Sequence, residues 1–124
     1  MNQEEIFSYC MNLKNVYQNE PFGKENQFVV CHRGNRKVMA WFYEENGKAC
    51  VRFRCSRDTF EKMPALSDIV RQGFFNQKED VYWLEMTMEE AVELPMEFLQ
   101  QLMDDSYKIT KPGKRNKSTR WYFT

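Results

Sequence analysis

Two sets of basic residues are the part of this chain best suited to bind something. His32-Arg33-Gly34-Asn35-Arg36-Lys37 gathers Arg33, Arg36 and Lys37 around a turn. Arg52 and Arg54 stand two apart in the run Val51-Arg52-Phe53-Arg54-Cys55. That alternation puts both guanidinium groups on one strand face and Val51, Phe53 and Cys55 on the other. The chemistry on offer is contact with phosphates, because arginine and lysine supply the sequence-independent part of nucleic-acid affinity through counterion release. A third set, Lys114, Arg115, Lys117 and Arg120, leads into Trp121-Tyr122-Phe123. Rings and cations together suit a single strand, since bases stack on rings while cations track the backbone. Plainer readings stand beside each. A charged hairpin loop can simply be solvated, Arg52 and Arg54 can pair with Glu44 and Glu45 across strands, and the last residues can dock as a terminal strand behind a basic linker.

Other chemistries find less to work with. His32 is the one histidine in the chain, so no relay with a second imidazole can form, and its place in the basic loop predicts a surface side chain. The four cysteines, at positions 10, 31, 50 and 55, include no Cys-x-x-Cys pair. Neither a zinc site nor a disulfide framework follows from that spacing, and buried thiols do. Glu89, Glu90 and Glu93 cluster without the loop geometry of a hard-cation site, which predicts a solvated face. No enzymatic activity, cofactor or metal is expected.

Charge is uneven although the net charge is zero. Residues 1–105 carry 12 Lys+Arg against 18 Asp+Glu, and residues 106–124 carry 6 Lys+Arg and no acid. A length of 124 residues fits one domain, taken as 1–110, with a basic and aromatic extension over 111–124. No window has the roughly 18 apolar residues that a membrane span needs. Met1-Asn2-Gln3-Glu4-Glu5 has neither the basic nor the apolar region of a secretory signal, so a cytoplasmic protein, monomeric by default, is expected.

The elements that must position these residues follow from periodicity. A helix is predicted over 3–13, with Asn2 and Glu5 spaced as a capping box and Ile6, Cys10 and Leu13 on one face. Asn15, Asn19 and Glu20-Pro21-Phe22-Gly23 read as turns. Gly34-Asn35 and Asn46-Gly47 tolerate the positive φ of two-residue hairpin loops, and they divide 27–55 into a three-stranded meander. Ser56 caps a short helix over 57–64, which Pro64 should stop. Gly73-Phe74-Phe75 suggests a turn into extended structure, and 81–87 is a strand. Trp41 and Trp83 are assigned to the core from their strand context. Pro95 opens a long helix whose stripe of Phe98, Leu99, Leu102, Met103 and Tyr107 ends near Lys108, before Pro112-Gly113. The order α-βββ-α-β-α makes an α+β two-layer sandwich, an antiparallel sheet with both long helices on one face.

Several of these residues carry a resemblance. The leading helix, Val16-Tyr17, Pro21-Phe22-Gly23, Lys37-Val38-Met39-Ala40, Val51-Arg52-Phe53-Arg54-Cys55, Gly73-Phe74-Phe75-Asn76, Tyr82-Trp83 and Ser106-Tyr107 occur in the order and spacing of the MmcQ/YjbR family. The chain resembles these small bacterial proteins over about residues 3–110. The resemblance implies a CyaY-like, frataxin-related fold and DNA binding of a "double wing" kind. Three departures accompany it. Arg54 stands where many relatives have lysine, Tyr82 stands where a histidine often precedes the tryptophan, and Thr87–Leu94 is longer and more acidic than usual. Frataxins hold iron on an acidic ridge, and the first helix here offers only Glu4 and Glu5. The function expected is weak, largely sequence-independent DNA binding through Arg33, Arg36, Lys37, Arg52 and Arg54, with Lys114 and Arg115 from the extension. The alternative is a protein-interaction or adaptor module that uses the sheet face and the aromatic C-terminus.

Overall fold

The strand that carries Arg52 and Arg54 lies inside a six-stranded antiparallel sheet. A computed structural model describes residues 1–20, 23 and 27–113 of the chain. In order, the elements are α1 (Gln3–Met11), β1 (Val16–Asn19), β2 (Phe28–His32), β3 (Val38–Glu45), β4 (Lys48–Cys55), α2 (Arg57–Leu66), β5 (Arg71–Asn76), β6 (Val81–Thr87), α3 (Met88–Ala91) and α4 (Met96–Thr110). The sheet order is β1-β2-β3-β4-β6-β5, so β1 and β5 are the edges. The two-layer α+β sandwich expected from the sequence is the fold observed.

Register explains how one face becomes the core. Ala40 pairs with Phe53 and Phe42 with Val51. Val51, Phe53 and Cys55 in turn face Met86, Leu84 and Tyr82. All of these side chains are buried in one cluster with Ile6 and Cys10 of α1, Phe60 and Met63 of α2, and Leu99, Leu102 and Met103 of α4. Full burial of a side chain such as Phe53 or Leu102 is worth about 2 kcal/mol. The intervening pairs, Trp41 with Arg52 and Arg54 with Trp83, therefore fall on the opposite face. Among the described residues no helix is long and apolar enough to cross a membrane.

Local chemistry sets most helix ends. Asn2 and Glu5 form the reciprocal capping box, with both backbone amides 2.8 Å from the side-chain oxygens they donate to. Ser56 caps α2 and Thr87 caps α3 through their hydroxyl oxygens. Pro64 does not stop α2, which runs on to Leu66. The proline removes the amide that would bond to the Phe60 carbonyl, and the Gln72 side chain donates to that carbonyl instead, at 3.1 Å.

Two strands and a helical turn go beyond the predicted order. Val16–Asn19, read as leading into a turn, is strand β1, paired from Val16↔His32 to Asn19↔Val29. Arg71–Asn76 is strand β5, irregular between Gln72 and Phe75 where it pairs with β6. Both are short edge strands created by a neighbour's hydrogen bonds rather than by their own pattern. The acidic segment after β6 folds into the single turn α3.

Candidate nucleic-acid interface

The hairpin between β2 and β3 carries the densest set of predicted cations. Its geometry differs from a two-residue turn. The Arg36 amide donates to the His32 carbonyl at 2.9 Å, and the His32 amide donates to the Lys37 carbonyl at 3.0 Å. The loop therefore spans four residues, 33–36. The left-handed position falls on Arg36, at φ 61°, and not on Gly34-Asn35. Gly34 is needed for a different reason, since a Cβ there would come within 2.7 Å of Pro112 Cγ. Just inside the hairpin, Val30 pairs with Ala40 but Cys31 pairs with Val38, so Met39 is an extra residue in β3. Arg33, Arg36 and Lys37 are all exposed.

His32 is the main correction to the sequence reading. It is buried, with 1% of its surface exposed. Its Nε2 lies 2.9 Å from Thr110 Oγ1 and 3.1 Å from the Tyr107 carbonyl. The Thr110 hydroxyl already donates to the Ser106 carbonyl at 2.6 Å, so it must accept from the histidine. Nε2 therefore carries the proton of the neutral ring. Burial pushes the His32 pKa below its ordinary value; the Tyr107 carbonyl opposes that shift and the Lys111 charge adds to it. Asn35 completes the attachment, its Nδ2 donating to the Thr110 carbonyl at 2.9 Å. The basic hairpin is thus latched to the C-terminal end of α4.

The sheet face away from the helices carries the other two predicted cations. Arg52 Nε is 3.0 Å from Glu85 Oε2, and the two residues are register partners. The Arg52 guanidinium lies 4.3 Å over the Tyr43 ring and 5.3 Å from the Trp41 ring centre. Trp41 meets Trp83 edge-on at 6.4 Å. The ion partner of Arg52 is therefore on β6 and not Glu44 or Glu45, which register opposite Ala49 and Lys48. Both tryptophans are half-buried on this face and stand outside the core to which the sequence assigned them. Arg54 is also half-buried, and its Nε has no hydrogen-bond partner among the described residues. Burial lowers its pKa, with the Asp80 charge opposing.

Position along the sheet decides which cations come together. Ala40 pairs with Phe53, so Arg54, one residue further along β4, lies toward the end of the sheet that holds the first hairpin. Arg33 extends over the Tyr17 ring of β1 at 5.5 Å. Arg33, Arg36, Lys37 and Arg54 therefore share one end, while Arg52 sits at mid-strand, held by Glu85. Lys114, Arg115, Lys117, Arg120 and the aromatic residues 121–123 lie outside the described residues. Tyr17, Tyr43 and Glu85 were given no role at the site from the sequence. Their only signal is alternation on β1, β3 and β6, and it gains meaning once register is known.

The remaining reactive groups are quiet. All four cysteines are buried as free thiols. Burial pushes Cys10 and Cys55 up to about 12, so both stay protonated at neutral pH. Among the described residues no group of three His, Cys, Asp or Glu side chains is placed to hold a metal ion.

Comparison with known proteins locates the fold. A crystal structure of a Pseudomonas syringae protein superposes with a TM-score of 0.70 at 16% identity, over 90% of this chain and 100% of that one. A Deinococcus radiodurans protein with a DUF419 domain superposes with a TM-score of 0.68 at 19% identity, over 94% of this chain and 86% of that one. The chain shares their fold. No family model matches the sequence, and no curated protein matches it.

Proposed function

We propose that this is a member of the MmcQ/YjbR family, with a CyaY-like domain, that binds DNA weakly and with little sequence preference. The observation that carries the reading is the convergence of Arg33, Arg36, Lys37 and Arg54 at one end of the sheet. That end adjoins a face holding Tyr17, Trp41 and Trp83. The hairpin cations contact phosphates as a wing, and Arg54 extends that track onto the face. Arg52 is a positioning residue, because its guanidinium is fixed by Glu85 and by the Tyr43 and Trp41 rings. Lys114 and Arg115 add phosphate contacts from the extension. The protein acts as a cytoplasmic monomer without cofactor or catalysis.

Salt dependence tests this directly. Affinity for duplex DNA should fall with a log–log slope of about −0.9 per phosphate contact. A flat response, or no binding at low salt, refutes the proposal. One observation favours a second reading, a protein-interaction module that uses edge strand β5 in place of the sheet face and the aromatic C-terminus. Phe74 and Phe75 on edge strand β5 are 64% and 53% exposed, and Leu66 is 71% exposed. A partner strand added to that edge would pack against the two phenylalanines. Phe74→Asp should then abolish binding of such a partner and leave DNA binding unchanged.

A further inference from the structure

A cleft of about 440 Å³ opens where the first hairpin meets the end of α4. Arg33 and Gly34 form one wall, Lys111 and Pro112 the other, and His32 and Tyr107 also line it. No carboxylate is among its lining residues. We infer that this cleft is a binding site for a phosphate monoester, seated between the Arg33 guanidinium and the Lys111 ammonium. The inference goes beyond DNA binding by the sheet face and stands without it.

Four observations carry it. First, each cation already rests on a ring: Lys111 lies 5.8 Å over Tyr107, which lines the cleft, and Arg33 lies 5.5 Å over Tyr17, at its margin and outside the lining. Less freedom of the Lys111 side chain is then lost when an anion arrives. The Tyr107 ring is itself tethered by its hydroxyl, which donates to the Lys14 carbonyl at 2.7 Å. Second, two carbonyls at the negative pole of α4 are capped. A helix C-terminus normally repels anions through its free carbonyls. Here the His32 ring bonds to the Tyr107 carbonyl and Asn35 donates to the Thr110 carbonyl, at 3.1 and 2.9 Å.

Third, Gly34 lets the hairpin close on Pro112, since any Cβ there would meet the proline ring at 2.7 Å. That contact holds the two walls together. Fourth, two cations on opposite walls match the two negative charges of a monoester better than the single charge of an internal diester. The arginine fork can also bond two phosphate oxygens at once. The volume falls within the range of small-ligand pockets, so the attached sugar has room as well. A monoester reaches the protein either as a free nucleotide or as the end of a strand, and both present the same group.

The test is a titration of the full chain with adenosine monophosphate, inorganic phosphate and adenosine, followed by amide NMR shifts at constant ionic strength. Saturable shifts at Arg33, Gly34 and Lys111 with the two phosphates, and none with adenosine, support the site. Arg33→Gln and Lys111→Gln should each weaken binding about tenfold, and neither removes a buried group. Linear shifts spread over all lysines and arginines overturn the inference, as do adenosine shifts equal to those of the monophosphate. A short oligonucleotide with and without a 5′-phosphate then separates the sources. Tighter binding of the phosphorylated strand, with the same amides shifting, assigns the site to strand ends. Equal binding of the two strands, with the monophosphate still saturating, assigns it to free nucleotides. An unphosphorylated strand that leaves the Arg54 and Trp83 amides unmoved counts against the sheet-face proposal alone.

Discussion

The two hairpins of the central meander are made in opposite ways. The second, Asn46-Gly47, is a two-residue turn with φ 54° and 77° that joins Glu45 directly to Lys48. Its own residues account for it, because both central positions tolerate the left-handed region. The first spans four residues, places its left-handed position on Arg36, and is bonded through His32 and Asn35 to α4, more than seventy positions later in the chain. Local chemistry closes one hairpin and tertiary packing closes the other. A basic loop held at both ends is also a better platform for phosphates than a free one, since less order has to be imposed on binding.

The largest test of that contrast is His32→Ala. It empties a buried site and leaves Tyr107 and Thr110 without their donor, which should destabilise the fold by about 2–4 kcal/mol in urea unfolding. Gly47→Ala should cost only about 1 kcal/mol, the penalty for a side chain at a left-handed position. Equal effects of the two substitutions would erase the distinction. On the functional side, the Arg36→Glu/Lys37→Glu variant should lose roughly tenfold or more in DNA affinity, with a salt slope shallower by about 2. Lys48→Glu at the second hairpin should leave both within error.

A pH series sharpens the comparison further. The folded-state pKa of His32 lies below the ordinary value of 6.5, so near and below that pH the unfolded chain binds a proton that the folded chain does not. Stability should therefore fall as pH drops from about 6.5 toward the folded-state value, and hold above that window. The dependence should vanish in His32→Gln, measured by urea midpoints across the range. A smaller loss than that of His32→Ala is expected from Asn35→Ala, about 1 kcal/mol for the lost Thr110 carbonyl contact. A null result there would leave His32 as the sole latch.

Legibility followed the range of the interaction that decides each feature. Alternation along Val51–Cys55 predicted the core face of β4 correctly, because a period of two needs no partner to be read. The capping box at Asn2 and Glu5 was equally readable, as its two hydrogen bonds close within three residues. Other features were hidden. β1 is four residues long and exists through pairing with β2. Pro64 looked like a stop until Gln72 supplied the missing donor. Trp41 and Trp83 looked like core, and the sheet register put them on the face opposite the helices. Arg52 was correctly placed on that face, but its partner on β6 is 33 positions away and invisible to local spacing.

By itself, the sequence determined the long helices, the central strands, the α+β class, the second hairpin and the inventory of cations, since propensities, caps and short-range periodicity act within a few residues. Tertiary structure alone decided that His32 is interior, that Arg52 is held by Glu85, and that Arg33 and Lys111 face a common cleft. Those outcomes depend on hydrogen bonds and ring contacts between residues brought together only when the sheet and the end of α4 meet.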